Sequence, residues 1–208
     1  AIKFSKLIFL NLYKNLLREI FFSNYMIEIK RGNLIIAKPT IINDDIFNRS
    51  VILLSEHNKN ESVGFILNKK INLKVSNLFP DIKIDFDLFF GGPVKTNNIF
   101  FIYHNNKKIN QSVKINHYLS CGGDINQVVG LINEKKISKN EIKFFLGYSG
   151  WSKKQLYNEI DTDSWIVKEE YNSNIICSNP KEMWRKILNS IGGEFFLWSN
   201  APIDPKLN

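Results

Sequence analysis

FFLGYSGWSKKQL, Phe144 to Leu156, joins an apolar run, two glycines, a tryptophan and a polar helix start. That order predicts strand, turn and helix. Such a context suits a nucleophile elbow, G-x-S-x-G, whose strained serine needs small residues on both sides. Here Trp151 stands in place of the second glycine, and no histidine follows His117 to complete the usual hydrolase order. No catalytic role is therefore assigned to Ser149. A packed corner is expected, in which Gly147 and Gly150 allow close backbone approach and Trp151 is an anchor. Tyr148 and Trp151 would border any pocket beside it.

Outward from this stretch, apolar runs predict strands at Gly32 to Ala37, Ser50 to Glu56 and Ser62 to Asn68. The short turn His57 to Glu61 makes the second and third a hairpin. Further strands are expected at Asp87 to Phe90, Ile99 to Tyr103, His117 to Cys121, Ile142 to Gly147 and Ser164 to Lys168, with the Ile99 strand paired to the one before it. Three helices start at Asp124, Ser152 and Asn179, each followed three residues later by Gln or Glu, in the manner of a capping box. Pro180 suits a first helical position, and Gly192-Gly193 a helix end. Strands fill the first half and helices punctuate the second, so the class is α+β.

Of 208 residues, 44% are hydrophobic, with 16 Phe and four Trp, enough for one well-filled core. The net charge of +8 raises the question of nucleic acid. Yet 24 of the 28 basic residues are Lys, and Ile, Asn and Lys supply 81 residues, as codon drift in an AT-rich genome would produce. Arginine, the commonest reader of guanine edges, occurs only four times. No CxxC, HxH or HExxH spacing occurs, so no metal or cofactor is expected. Cys121 and Cys177 read as reduced cytosolic thiols.

Residues 1–25 contain apolar positions at helical spacing, but their longest apolar run, Leu7 to Leu10, is far too short to span a bilayer. They are read as a non-native or disordered extension. Residues 26–208 are then a single domain, with no stable membrane insertion.

Candidate binding residues are few. Arg49 borders a buried strand and could hold an anion, or pair with Asp44 or Asp45. Glu56 and His57 end the same strand, and His57 could titrate near neutral pH. Asn68 closes the third strand. Gly91-Gly92 and Gly122-Gly123-Asp124 are Gly-Gly turns, whose successive amides can cradle an anion. Turn chemistry is the simpler reading, because Asp124 at a helix N-cap competes for that positive end. Neither turn fits a phosphate-loop or dinucleotide pattern.

Read in order, GNLIIAKP at Gly32, FNRSVILLSEH at Phe47, VGFILN at Val63, GGPV at Gly91, GGD at Gly122, FFLGYSGWSKKQL at Phe144, Trp165, Trp184 and APIDPKLN at Ala201 resemble the YqgE/AlgH family, most of all its Bacteroidetes versions. The likeness runs from about residue 26 to the C-terminus. It implies a bent, largely antiparallel β-sheet closing into a pseudo-barrel with α-helices packed outside, and a cytoplasmic protein. The family is commonly labelled a transcriptional regulator, and no settled catalytic residues carry over. The chain departs from the family in two places, the extension before Met26, which is not usual, and Cys121, where a tryptophan or another bulky residue is frequent; alanine is also frequent where Ser149 stands. The resulting expectation is a non-enzymatic regulatory or binding protein, its partner a protein or nucleic acid. The rivals are an enzyme with a pocket near Arg49, Glu56 and His57, and a protein-docking scaffold.

Overall fold

A computed structural model of the chain describes residues 28–41, 44–152, 154–170 and 172–200. The N-terminal extension and the APIDPKLN end lie outside the described residues.

Among the described residues ten strands follow in chain order: β1 (Leu34–Ala37), β2 (Val51–His57), β3 (Glu61–Ile66), β4 (Lys70–Lys74), β5 (Asp87–Phe90), β6 (Val94–His104), β7 (Val113–Lys114), β8 (Leu119–Cys121), β9 (Ile142–Ser152) and β10 (Trp165–Lys168). The α-helices of the described residues are α1 (Ile125–Asn133), α2 (Gln155–Asp161), α3 (Pro180–Ile191) and α4 (Glu194–Ser199). The sheet order is β10-β1-β2-β3-β9-β6-β8-β7, with β4 on β5 and β5 also on β9. Every pairing is antiparallel except β5–β9. The sheet curls into a half-barrel accompanied by a few helices, an α+β fold.

β9 is the joint of this sheet. Its first half pairs with β6 on one side and β5 on the other, Phe90 opposite Leu146. Its second half exchanges β5 for β3, Gly64 opposite Ser149. Gly91 sits at the exchange: its N–H donates to the Leu146 carbonyl at 2.8 Å, and its own carbonyl accepts from Ile66 N at 3.0 Å. The glycine-rich stretch is therefore continuous strand to Ser152, not the corner expected from its composition. The expected pairing of Ile99–Tyr103 with the strand before it is also replaced, because β9 lies between β5 and β6. The β2–β3 hairpin forms as expected, with a register shift between Leu54 and Glu56.

β1 and the first five residues of β2 are buried on both faces, which explains their unbroken apolar runs. Leu34, Ile36, Val51 and Leu53 pack with Phe65, Phe145 and the α3 residues Met183, Trp184 and Leu188. Their alternates Ile35, Ile52 and Leu54 pack with Trp151, Leu156 and Trp165 near α2. A third cluster sets Phe101, Tyr103 and Phe144 against Val128 and Ile132 of α1. Period-2 alternation thus divides each strand between two layers.

Two of the three helix starts carry their caps. Asp124 accepts from Asn126 N at 2.9 Å, and Asn179 from Lys181 N at 3.1 Å. Gln127 closes no box on α1; it accepts from Asn110 N and donates to the Lys108 carbonyl. At α2 only half of the box forms. Gln155 accepts from Ser152 N at 3.1 Å, while Lys154, in the left-handed region, holds the N-cap position.

Candidate functional site

Arg49 is built into the fold. Its backbone is left-handed (φ 54°), its carbonyl accepts from Asn68 Nδ2 at 2.8 Å, and its guanidinium lies 5.0 Å from the centre of the Trp184 ring. Asn68 Oδ1 accepts in turn from Val51 N at 2.9 Å, so Asn68 clamps the entry to β2. Eight residue steps of mostly extended chain, roughly 25 Å, separate Arg49 from His57. Glu56 Oε1 accepts from Asn58 Nδ2 at 2.9 Å, and neither Glu56 nor Arg49 is among the residues lining the cleft at His57. Glu56 lies on the side of Cys121, and burial pushes that thiol up to about 11, against the pull of Arg31. The three residues therefore do not share one pocket.

The glycine turns are occupied by the chain itself. Besides the Gly91 bonds, Gly122 N donates to the Phe101 carbonyl and Asp124 N to the Asn110 carbonyl. A Cβ on Gly92 would stand 2.3 Å from Ser149 N, and one on Gly123 2.7 Å from the Asn110 carbonyl oxygen. Ser149 is fully buried and donates to the Gly91 carbonyl at 3.1 Å. Tyr148 stands edge-on to Phe100 at 5.5 Å. Trp151 Nε1 donates to Glu159 Oε2 at 2.8 Å, and Trp165 Nε1 to the same oxygen at 2.7 Å.

His57 has a different setting. Its Nδ1 and Ser62 Oγ are 2.8 Å apart, and its Nε2 lies 3.2 Å from Tyr157 Oη. The hairpin register places His57 directly opposite Ser62, and the start of α2 brings Tyr157 over the imidazole at 5.8 Å between ring centres. Burial holds the imidazole below its ordinary value of 6.5, which favours its neutral form. One ring nitrogen then donates and the other accepts. These groups form one wall of a cleft of about 480 Å³. Among the described lining residues, Ile29 and Leu156 are apolar and buried, and Glu28 and Glu61 match Lys59 and Lys154 in number. Ser62 and Tyr157 were not among the residues expected from the sequence. The first was legible from the hairpin register; the second comes from 100 residues away and left no local signal.

Among the described residues, no group of three His, Cys, Asp or Glu side chains could hold a metal ion, and no helix is long and apolar enough to cross a membrane.

The fold and sequence have clear relatives. A UPF0301 protein of Cytophaga hutchinsonii is 37% identical over 182 residues, covering 86% of this chain and all of that one. A second UPF0301 protein, from Parabacteroides distasonis, is 37% identical over 86% of this chain and 91% of its own. Among solved structures, protein DIP2367 of Corynebacterium diphtheriae superimposes with a TM-score of 0.70 at 21% identity, covering 84% of this chain and 93% of that one. The AlgH protein of Pseudomonas aeruginosa does so at 0.67 and 19%, covering 86% and 97%. At these identities the two structures speak for the shared half-barrel. The AlgH-like family model matches residues 34–196, and with that match the chain belongs to the AlgH-like family.

Proposed function

We propose that this protein is a non-enzymatic regulatory binding protein of the cytoplasm, whose polypeptide partner enters the cleft beside His57. One observation carries the reading: an imidazole held between Ser62 and Tyr157 in the wall of a cleft whose described lining includes buried apolar residues and equal numbers of acidic and lysine side chains. Buried apolar surface with a few fixed polar groups suits a peptide segment. Equal numbers of opposite charges give a polyanion no preference, so regulation of transcription would run through a protein partner and not through direct contact with DNA.

The Ser62–His57 contact favours a second reading, a serine nucleophile with its base. Against it, the far ring nitrogen faces a phenol where a hydrolase would place an orienting carboxylate.

A photo-crosslinking residue at position 157, compared in living cells with one at the exposed Lys95, tests the first reading. Discrete adducts from position 157, lost with His57→Ala, are expected. Sequence-selective duplex binding that survives physiological salt and ignores the cleft would overturn it. A fluorophosphonate that labelled Ser62 would decide for the hydrolase.

A further inference from the structure

A second cleft, of about 410 Å³, lies on the other half of the sheet, and Lys143 is among its lining residues. Lys143 stands between Ile142 and Phe144 in the buried run of β9 and is 5% exposed. Its Nζ donates to the Ile176 carbonyl at 3.0 Å and lies 3.7 Å from the centre of the Phe89 ring. No described carboxylate is within ion-pair distance of it; the nearby Asp87 is taken by Lys70 at 2.8 Å and Lys74 at 2.5 Å. An ammonium buried without a carboxylate is costly, and the cost favours the free amine. Burial lowers this lysine to about 8, with Cys177 and Asp87 pulling weakly the other way. Roughly one molecule in ten then carries a nucleophilic amine at pH 7, where an exposed lysine at 10.4 offers well under one in a thousand.

The cleft has a sign as well. Lys70, Lys74, Lys139 and Lys143 line it against Asp85 and Asp87, an excess of cations. Asp85 already accepts from Ser76 Oγ. A desolvated amine beside further cations is the setting that activates a lysine toward carbonyl carbon.

We propose that this cleft binds a small anionic carbonyl compound of the 2-oxo acid class, with Lys143 Nζ forming a reversible imine to its carbonyl carbon and the rim lysines holding its carboxylate. The amine lone pair attacks the carbonyl carbon and a proton passes from nitrogen to oxygen. The carbinolamine then loses water as the C=N bond forms. No redox partner is needed, and water reverses the step. The ligand is captured and not turned over, so this site stands independently of the His57 cleft.

The full chain is incubated with pyruvate and sodium cyanoborohydride, and adducts are mapped by peptide mass spectrometry. Adduct at Lys143 is expected to exceed that at any other lysine by about tenfold or more, following the amine fraction. Acetone, which lacks the carboxylate, is expected to label Lys143 far less. Lys74→Met is expected to raise the pyruvate concentration for half-maximal labelling several-fold while the label stays on Lys143. Lys143→Met is expected to lose the dominant adduct, and the rim variant keeps the test open if that protein fails to fold. Adducts spread evenly over surface lysines would overturn the imine. Equal labelling by acetone, or a Lys74→Met curve identical to that of the parent, would overturn the anionic class.

Discussion

Gly91 and Gly147 meet backbone to backbone: a methyl group on Gly91 would stand 2.2 Å from the Gly147 carbonyl oxygen. Gly147 is left-handed (φ 67°), and its own Cβ would stand 2.4 Å from the Gly92 carbonyl oxygen. The contact lies where β9 exchanges β5 for β3, so no side chain can move aside to relieve a clash. Gly91→Ala is expected to cost about 3 kcal/mol or more, or to prevent folding. Gly130, inside α1 with nothing within 4 Å of its Cβ position, gives the opposite sign. Gly130→Ala is expected to stabilise by about 0.5–1 kcal/mol. Urea unfolding of both variants checks the contrast, and a tolerated Gly91→Ala would contradict the close approach.

Much of this architecture was legible wherever burial is symmetric or chemistry is local. β1, β2, β3, β5, β8 and β10 announce themselves as apolar runs, and Asp124 and Asn179 as caps. What was not legible depends on distant partners. β4 carries Lys70, Asn72 and Lys74 and is largely exposed, so no apolar pattern marks it. The placing of β9 between β5 and β6 is a non-local choice that no adjacent residues encode. The candidate residues divide the same way. His57 stood out by type, but its partners depended on register and on α2. Lys143 looked like any other lysine of a drifted surface until the fold buried it.

Glu159 joins the indole of Trp151, expected only as a packing anchor, to that of Trp165. Its Oε2 accepts from Trp151 and Trp165, both 4% exposed, and its Oε1 from Gln155 Nε2 at 2.9 Å. Glu159→Leu would leave two buried indole N–H groups without an acceptor, at about 2–4 kcal/mol. Glu159→Gln keeps one carbonyl oxygen and is expected to lose about half as much. Equilibrium unfolding followed by tryptophan emission measures both. Equal losses would show that packing, and not the shared acceptor, holds this corner.

At the entry to β2, Arg49 is expected to act on stability. Arg49→Ala removes the guanidinium from Trp184 and should cost about 1–2 kcal/mol. Arg49→Gly loses the same contact but relieves the left-handed backbone, which is worth about 1 kcal/mol, so it should be the milder change. Asn68→Ala strips partners from Val51 N and the Arg49 carbonyl together and should exceed both. Thermal melts rank the three. A ranking with Arg49→Gly as the worst would contradict the left-handed assignment.

Lys143 makes stability depend on pH in a window where few carboxylates or histidines titrate. Its ordinary value of 10.5 falls to about 8 in the folded chain. Between those values the unfolded chain binds more protons than the folded one, so stability rises with pH there. Below about pH 8 the folded chain carries the whole cost of the buried charge; above about 10.5 it carries none. The full swing is about 3 kcal/mol, at 1.36 kcal/mol per unit. With Cys177→Ser in both proteins, so that the neighbouring thiol is absent, Lys143→Met removes the group and leaves the other lysines and tyrosines common to both. The variant's stability relative to the parent is therefore highest at pH 7 and declines as the pH approaches 10. Its absolute sign at pH 7 also includes the lost bond to the Ile176 carbonyl, so the slope of the difference is the quantity to read. Parallel melts from pH 7 to 10 supply it. A difference that does not change with pH would mean that the amine keeps its proton throughout this range, and with it would go the nucleophile in the second cleft.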